Sequence, residues 1–171
     1  MERSMKIEIK PRLFVRASGS GVTEIGLGKE RNSEKGDAST RTRGSQAARW
    51  ARATRRELTA YFRGRARSFS TPCDLASLPR FTQAVLKITA QIPYGEVRSY
   101  RWVANKLGRP KATRAVGNAL GRNPIPIVIP CHRVVRSDGS LGGYALGLSW
   151  KRKLLSLERA ALVKRAGSDR R

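Results

Sequence analysis

A cysteine and the only histidine of the chain are neighbours, at positions 131 and 132. The thiolate form of cysteine is a nucleophile, and a nearby imidazole can accept the thiol proton and so generate it. Basic residues are frequent in this part of the chain, and positive charge also favours the thiolate. A single cysteine is more often a small buried hydrophobic residue than a reactive one. The adjacency of Cys131 and His132 nevertheless predicts a nucleophile and its base.

The geometry of the pair requires further groups. Neighbouring side chains of a strand point to opposite faces, so a bridging water joins Cys131 and His132 more easily than a direct hydrogen bond. A histidine that acts as a base needs an acceptor to orient it. Residues 81–163 contain three carboxylates, Glu96, Asp138 and Glu158. Glu158 follows a leucine-rich stretch of a predicted helix, so we expect it to orient His132; an ordinary exposed helix glutamate is the alternative.

The small number of cysteine and histidine side chains limits other chemistry. A structural zinc site needs about four such ligands, and the chain has Cys73, Cys131 and His132. We therefore expect no metal and no cofactor, whereas a disulfide between the two cysteines stays open. Met1–Lys10 is charged and without an apolar stretch, and no run approaches the ~20 apolar residues of a membrane span. These features favour an intracellular, cytoplasmic protein with free thiols.

The segment that precedes the pair, residues 123–130, is apolar and contains three prolines. Prolines exclude a helix here and limit the hydrogen bonds of a strand. We predict a stiff, extended segment that delivers Cys131 to a fixed position. After the pair, the sequence predicts a strand over 134–135, a turn over 137–139 and a glycine-rich loop over 141–144. A helix over 150–159, capped by Ser149, is predicted next.

A helix-turn-helix is predicted before this segment. Apolar residues recur at helical spacing from Phe81 to Ile92, and Pro93 ends that helix. Two short helices follow, Tyr100–Leu107 with Ser99 as N-cap and Lys111–Leu120, joined by a turn that contains Gly108. The second is expected to bury its apolar side chains, which are Ala115, Val116, Ala119 and Leu120.

Positive charge is concentrated on this predicted helix-turn-helix. Residues 98–122 contain no acidic residue and seven basic ones, which are Arg98, Arg101, Lys106, Arg109, Lys111, Arg114 and Arg122. The whole chain has a formal net charge of +24. Such a charge favours a nucleic acid partner, since phosphates neutralise it. A membrane surface and a merely solubilising surface charge are the alternatives, and the chain lacks the basic amphipathic helix with an aromatic face that a membrane would favour.

The first part of the chain predicts a small α/β unit. Leu13–Ala17 and Val22–Leu27 are predicted strands of a hairpin, and the polar residues 28–45 are a predicted loop. A helix is predicted over Gln46–Phe62, with one basic face and one apolar face that carries Trp50, Thr54, Leu58, Tyr61 and Phe62. A further strand is predicted over Arg65–Thr71.

Three motifs resemble those of the methylated-DNA–protein-cysteine methyltransferase family. They are Ile92–Val97 (IPYGEV), Arg114–Ala119 (RAVGNA) and Ile129–Val135 (IPCHRVV). The resemblance extends from about Phe81 to Ala160 and is weaker over 8–80. It implies an α+β fold in three parts. Residues 1–77 would form a small ribonuclease-H-like N-terminal domain, and residues 78–163 a mainly helical, winged-helix-like (helix-turn-helix) domain for catalysis and DNA binding. Residues 164–171 would form a basic tail.

The resemblance also implies a reaction. An alkyl group would pass from O6-alkylguanine in double-stranded DNA to Cys131, once per molecule, after the base is flipped out of the helix. His132 would be the water-mediated base, Glu158 would orient it, and Asn123 would hold the helix-turn-helix against the active-site segment. We expect a monomer that needs no cofactor and binds no membrane.

Further residues match positions that contact DNA or the base in this family. By this resemblance Arg114 enters the duplex in place of the flipped nucleotide, and Tyr100 crowds the target phosphate. Arg101, Arg109 and Ser137 match other DNA-contacting positions. Leu120 and Tyr144 match walls of the base pocket, and the backbone of Cys131, Val134 and Ala145 matches groups that hydrogen-bond the guanine.

Three other functions compete with alkyl transfer. Alkyltransferase-like proteins bind lesions without repairing them and lack the cysteine, so Cys131 argues against that class. A plain helix-turn-helix regulator would leave the glycine-rich loop and Glu158 unexplained. A cysteine hydrolase would need features that mark an acyl substrate, and the sequence has none.

Overall fold

The computed structural model describes residues 13–28 and 44–168, with side chains as far as Arg159. Its strands are β1 (Leu13–Ala17), β2 (Val22–Leu27), β3 (Arg98–Ser99) and β4 (Val134–Val135). Its helices are α1 (Gln46–Phe62), α2 (Arg80–Thr89), α3 (Tyr100–Lys106), α4 (Thr113–Gly121) and α5 (Leu148–Ser168). A single 3₁₀ turn over Cys131–Arg133 lies between α4 and β4 in this part of the chain.

The N-terminal hairpin and helix form with the predicted bounds. β1 and β2 pair antiparallel, and α1 packs on them. Ser45 caps α1, because its hydroxyl accepts a hydrogen bond from the Ala48 N–H at 3.1 Å. Thr54, Leu58, Tyr61 and Phe62 are buried as expected, and Trp50 is partly buried. Most of the predicted loop over 28–45 lies outside the described residues.

The predicted strand over Arg65–Thr71 does not form. These residues make bends, and the nearest ladder contact is an isolated bridge between Val22 and Cys73. The reason is a side chain of α1: the Glu57 carboxylate accepts hydrogen bonds from the Ser70 backbone N–H, at 2.9 Å, and from the Thr71 hydroxyl, at 2.8 Å. Side-chain capture of this kind competes with strand pairing.

The helix-turn-helix segment, residues 100–121, is present with small shifts of its bounds. The Ser99 hydroxyl caps α3 by accepting from the Trp102 N–H at 3.0 Å, and Gly108 has the left-handed φ of +69° that ends such a helix. α4 begins at Thr113, two residues after the predicted start, and Ala115 is exposed although its burial was expected. α2 ends at Thr89, so the buried Ile92 belongs to the following turn.

The proline-rich segment 123–130 is folded back on itself, contrary to the extended form that we predicted. The Ile129 N–H donates to the Ile125 carbonyl at 3.0 Å, and Ile127 has a φ of +77°. The Asn123 side chain ties the turn together, because its amide donates to the Ile129 carbonyl at 3.1 Å and its oxygen accepts from the Ile125 N–H at 3.0 Å. Proline content excluded a helix correctly but carried no information about this side chain.

Two further features fix the segment after the turn. β3 pairs parallel with β4, so the residues just before α3 are joined to those just after Cys131–Arg133. α5 begins at Leu148 and continues to Ser168, so Ser149 lies in its first turn rather than at its cap, and residues 164–168 of the predicted tail are helical.

Within the described ranges no helix is both long and apolar enough to cross a membrane.

Candidate active site

An open cleft of about 570 Å³ lies where the helix-turn-helix segment meets the glycine-rich loop. It is lined by Tyr100, Thr113, Arg114, Gly117, Leu120, Gly121, Cys131, Arg136, Gly142, Gly143, Tyr144 and Ala145. Six residues that the sequence had singled out therefore share one cleft: Cys131, Tyr100, Arg114, Leu120, Tyr144 and Ala145. Arg136 is an addition, since a single arginine after a strand gave no signal of its own.

Cys131 lies in the 3₁₀ turn and is 5% exposed. The Asn123 amide, which also ties the preceding turn, donates to its sulfur at 3.1 Å. Burial raises the pKa of the thiol to about 11, although the Asn123 hydrogen bond and the Lys151 charge lower it. The basic surroundings favour the thiolate, as expected, through Lys151, but burial outweighs this charge and the thiol form predominates.

His132 is fully buried behind the cysteine, and its Nε2 lies 2.9 Å from Glu158 Oε1. The predicted partnership between this histidine and this carboxylate is present in the structure. Burial lowers the pKa of His132, while Arg133 and His132 hold the pKa of Glu158 below its usual range despite its burial. A neutral imidazole that donates from Nε2 to a carboxylate leaves Nδ1 unprotonated, and Nδ1 is buried without a partner among the described residues. It can therefore accept a proton.

The 3₁₀ turn also changes the geometry assumed from the sequence. The alternation of side chains along a strand does not apply to Cys131 and His132, because the pair precedes β4 instead of lying in it. The turn points the imidazole to the Glu158 side of the core and the thiol to the cleft.

Glu158 holds three further groups that the sequence did not predict. Arg133 is 5% exposed and donates to both of its oxygens, with Nη2 at 2.8 Å from Oε1, and its Nη1 donates to the Ile92 carbonyl at 2.6 Å. The Gly95 N–H donates to Oε2 at 2.9 Å. The Tyr61 hydroxyl, from α1, donates to Oε1 at 2.7 Å. This set of donors keeps a buried carboxylate ionised.

Lys151 is a second unpredicted member of the site. It is fully buried, and its ammonium group donates to the carbonyls of Val134, at 2.6 Å, of Gly143, at 3.3 Å, and of Leu141. Burial lowers its pKa to about 8. Three carbonyl contacts bind the glycine-rich loop to β4, so one lysine of α5 shapes the wall of the cleft. A lysine in a helix normally indicates a solvated face, so its burial could not be predicted from the sequence.

Glycine is required at one point of that loop. Gly142 has a φ of +63°, and a Cβ at this position would lie 2.7 Å from the Tyr100 hydroxyl oxygen. The loop and the tyrosine therefore approach each other closely only because residue 142 has no side chain.

The other predicted site residues lie outside the cleft lining. Val134 is fully buried in β4. Arg101 is exposed on α3, and Ser137 is exposed in the turn after β4. Arg109 is exposed, with its guanidinium 5.8 Å from the centre of the Phe81 ring. Cys73 and Cys131 are both free thiols, as expected, so the disulfide that the sequence left open is absent. In the described ranges no three acidic, cysteine or histidine side chains come close enough to hold a metal.

The fold and the site together define a class of protein: a helix-turn-helix protein with a cysteine in the lining of a cleft and a histidine–carboxylate pair beside it. The profile of the 6-O-methylguanine DNA methyltransferase DNA-binding domain matches residues 80–160. The methylated-DNA–protein-cysteine methyltransferase of Methanosarcina barkeri is 52% identical over 106 residues, or 60% of this chain and 65% of that protein. That of Mycobacterium bovis is 48% identical over 104 residues, 61% of this chain and 62% of that protein. These alignments span slightly less than two thirds of the relatives.

Solved structures match over a longer range. The OGT of Mycobacterium tuberculosis in complex with DNA is 38% identical, with a TM-score of 0.72 over 87% of each chain. An O6-methylguanine DNA methyltransferase from Methanococcus jannaschii is 30% identical, with a TM-score of 0.61 over 90% of this chain and 92% of that one. The chain belongs to the O6-methylguanine DNA methyltransferase family.

Proposed function

We propose that the protein repairs DNA by transferring an alkyl group, such as methyl, from O6 of guanine to the sulfur of Cys131, one group per molecule. The observation that carries the proposal is the position of Cys131: it lines a cleft beside the helix-turn-helix segment, and His132 and Glu158 stand behind it. Family membership supports the same substrate class.

The reaction begins with the thiol proton. Cys131 rests as a thiol, so a base must remove its proton before attack. When Nε2 of His132 donates to Glu158, Nδ1 carries no proton, and it is buried without a hydrogen-bond partner among the described residues. In the proposed mechanism Nδ1 takes the thiol proton through a bridging water while Glu158 holds Nε2. A thiolate lone pair then forms the S–C bond to the alkyl carbon. The C–O6 bond breaks, its electron pair stays on guanine, and guanine takes up the proton.

The developing oxyanion of guanine needs hydrogen-bond donors. We assign this role to the backbone N–H of Ala145. The N–H groups of Cys131 and Val134 already donate to the carbonyls of Ile129 and Cys131, so the backbone at these two positions is assigned to other hydrogen bonds with the guanine. The thioether formed on Cys131 has no neighbouring group that can cleave it. The protein is therefore consumed by one reaction.

DNA binding is assigned to the helix-turn-helix segment. A base inside a stacked duplex cannot reach a cysteine at the base of a cleft, so it must be flipped at a cost of a few kcal/mol. Arg114 and Tyr100 both line the cleft. This supports the assignment of Arg114 to the space that the flipped base leaves in the stack and of Tyr100 to the target phosphate. Exposed Arg101, Arg109 and Ser137 are assigned to the DNA backbone on either side. As a monomer, the protein would act wherever the cell holds its DNA.

The finer description of the fold is part of the proposal. We divide the chain into a ribonuclease-H-like part over 1–77, a winged-helix-like catalytic part over 78–163 and a tail over 164–171. The antiparallel pair β1–β2 packed on α1 supports the first part, and the packing of α3 on α4 supports the second. Buried residues from Val15 to Leu157 belong to one core, to which both parts contribute side chains.

The proposal is tested by the mass of the intact protein after incubation with a duplex that contains O6-methylguanine. The wild type and Cys73→Ser should each gain one methyl group and then stop, and peptide mapping should place it on Cys131. Cys131→Ser should bind the lesion and gain nothing. Repeated turnover, or a methyl group on Cys73, would contradict the proposal, and binding without transfer by the wild type would favour a lesion-binding protein instead.

A further inference from the structure

A second basic surface lies on α1, away from the cleft of Cys131. Four arginines, Arg49, Arg52, Arg55 and Arg56, line an open cleft of about 650 Å³ together with Trp50 and uncharged residues. We call these four residues the α1 arginine face. This cleft and the active-site cleft share no lining residue, so the α1 arginine face is a separate feature of the molecule.

The positive charge of this face is not neutralised by the part of the chain that the structure describes. All four arginines are exposed, and Arg55 donates only a long hydrogen bond, 3.5 Å, to the Val15 carbonyl. The sole carboxylate of α1, Glu57, is engaged by Ser70 and Thr71. Arginines three and four residues apart on a helix repel one another, so the face destabilises α1 until an anion binds.

The spacing of the arginines suits the phosphates of a nucleic acid backbone. Arg49, Arg52 and Arg56 are separated by three and four residues, so they lie along one side of α1. Seven residues of helix span about 10.5 Å. One strand of duplex DNA carries a phosphate about every 3.4 Å along its axis, so about three phosphates span the same length. Guanidinium groups bind phosphate oxygens in a bidentate manner.

We infer that the α1 arginine face is a second DNA-binding surface, which holds backbone phosphates of duplex DNA outside the segment gripped by the helix-turn-helix. Charge favours this occupant over a second copy of the chain, because two molecules of net charge +24 repel each other. DNA is already the proposed partner of the molecule, so one duplex would bind to both basic surfaces. The contacts carry no sequence information, since they reach phosphates only.

The first test measures affinity for an undamaged duplex across a series of salt concentrations. Each arginine that neutralises a phosphate contributes about 0.9 to the slope of log affinity against log salt. The triple variant Arg49→Gln, Arg52→Gln, Arg56→Gln should lower that slope by up to about 2.7. The matched control, Lys87→Gln, Arg152→Gln, Lys153→Gln, removes the same charge from exposed positions on α2 and α5 and should leave the slope close to that of the wild type.

The second test locates the DNA directly. A photo-crosslinking amino acid, benzoylphenylalanine, placed at position 53 in the cleft should crosslink to the duplex, whereas the same group at exposed position 152 should not. Neither test needs a lesion, so failure of alkyl transfer would not affect them. The triple variant should still transfer methyl groups from a short oligonucleotide. Equal slopes for the triple variant and the control, or no crosslink at position 53, would overturn the inference.

Discussion

The sulfur of Cys131 is subject to opposing influences. Burial raises its pKa to about 11, and the Asn123 amide and Lys151 lower it. At pH 7 a thiol of this pKa is ionised to about one part in ten thousand, so the free protein is protected from unwanted reaction. The motif around the cysteine identifies the nucleophile, but only the packing determines its protonation state.

The reactivity of Cys131 in the absence of DNA should therefore rise with pH. In a Cys73→Ser background, the rate of alkylation by iodoacetamide should increase about tenfold for each pH unit from 7 to 10, because only the thiolate reacts. The pKa of Cys73 is also raised to about 11 by burial, so that residue must be removed to give a clean measurement. Asn123→Ala should slow the reaction further at each pH. A rate that levels off below pH 9 would show that the thiol is not protected in this way.

The sequence was most informative about residues that belong to motifs. Cys131, His132 and Glu158 were predicted as a set and lie together, and Asn123 reaches the sulfur. Tyr61 was predicted only as a core residue, because an apolar helix face does not reveal where a hydroxyl points. Arg133 and Lys151 were missed because a basic residue in a basic chain carries little information until its partners are known.

Helices and strands were predicted where local signals dominate. Caps at Ser99 and the left-handed Gly108 are local, and both are present as predicted. Failures occurred where a distant side chain decides the backbone. Glu57 binds the Ser70 N–H within the segment 65–71, where a strand was expected, and Asn123 folds a segment that its prolines had suggested to be extended. Such side-chain to backbone bonds are invisible to periodicity.

The glycine-rich loop should depend on α5 through Lys151. Lys151→Met keeps a long side chain but leaves the carbonyls of Val134, Leu141 and Gly143 without this donor, which should destabilise the fold by about 1–3 kcal/mol. Amide hydrogen exchange of residues 142–144 should become faster, and single-turnover methyl transfer should become slower.

Lys153→Met is the matched control for that experiment. Lys153 is exposed on the same helix, two residues away, so its loss should change neither exchange of the loop nor transfer. Equal effects of the two substitutions would mean that Lys151 contributes only charge. Unchanged exchange in Lys151→Met would show that the loop keeps its shape without the lysine.

At the scale of the molecule, a side chain of α1 reaches the carboxylate beside His132. Tyr61 is fully buried at the end of α1, and its hydroxyl bonds the carboxylate that holds His132. A second contact joins β2 to the proline-rich segment, because the Ile25 N–H donates to the Pro124 carbonyl at 2.8 Å. The stretch matched by the family profile, 80–160, therefore does not contain every group that acts on the site.

Tyr61→Phe should test this coupling. With one donor fewer, Glu158 draws the imidazole proton more strongly, so the pKa of His132 should rise. Because the base must be neutral to accept a proton, the acid limb of the transfer rate should move to higher pH. Binding of undamaged DNA should not change.

Tyr94→Phe provides a control with the same chemical change. Its ring lies 5.9 Å from that of Tyr61, and its hydroxyl is buried without a hydrogen-bond partner in the described part of the chain. The pH profile of that variant should match the wild type. If the pH profile of the transfer rate shifts equally in both variants, the cause is packing. If it does not shift in Tyr61→Phe, the Tyr61 hydroxyl does not influence His132.

The backbone at Ile127 has a consequence for the order of folding. A β-branched residue in the left-handed region costs on the order of 1–3 kcal/mol, and Ile127 has no exposed surface, so only surrounding packing keeps it there. An isolated peptide with this sequence would relax to another shape. We therefore expect the turn that presents the thiol to form after Ile125 and Ile129 have packed against their neighbours, so the thiol reaches its place in the cleft late in folding.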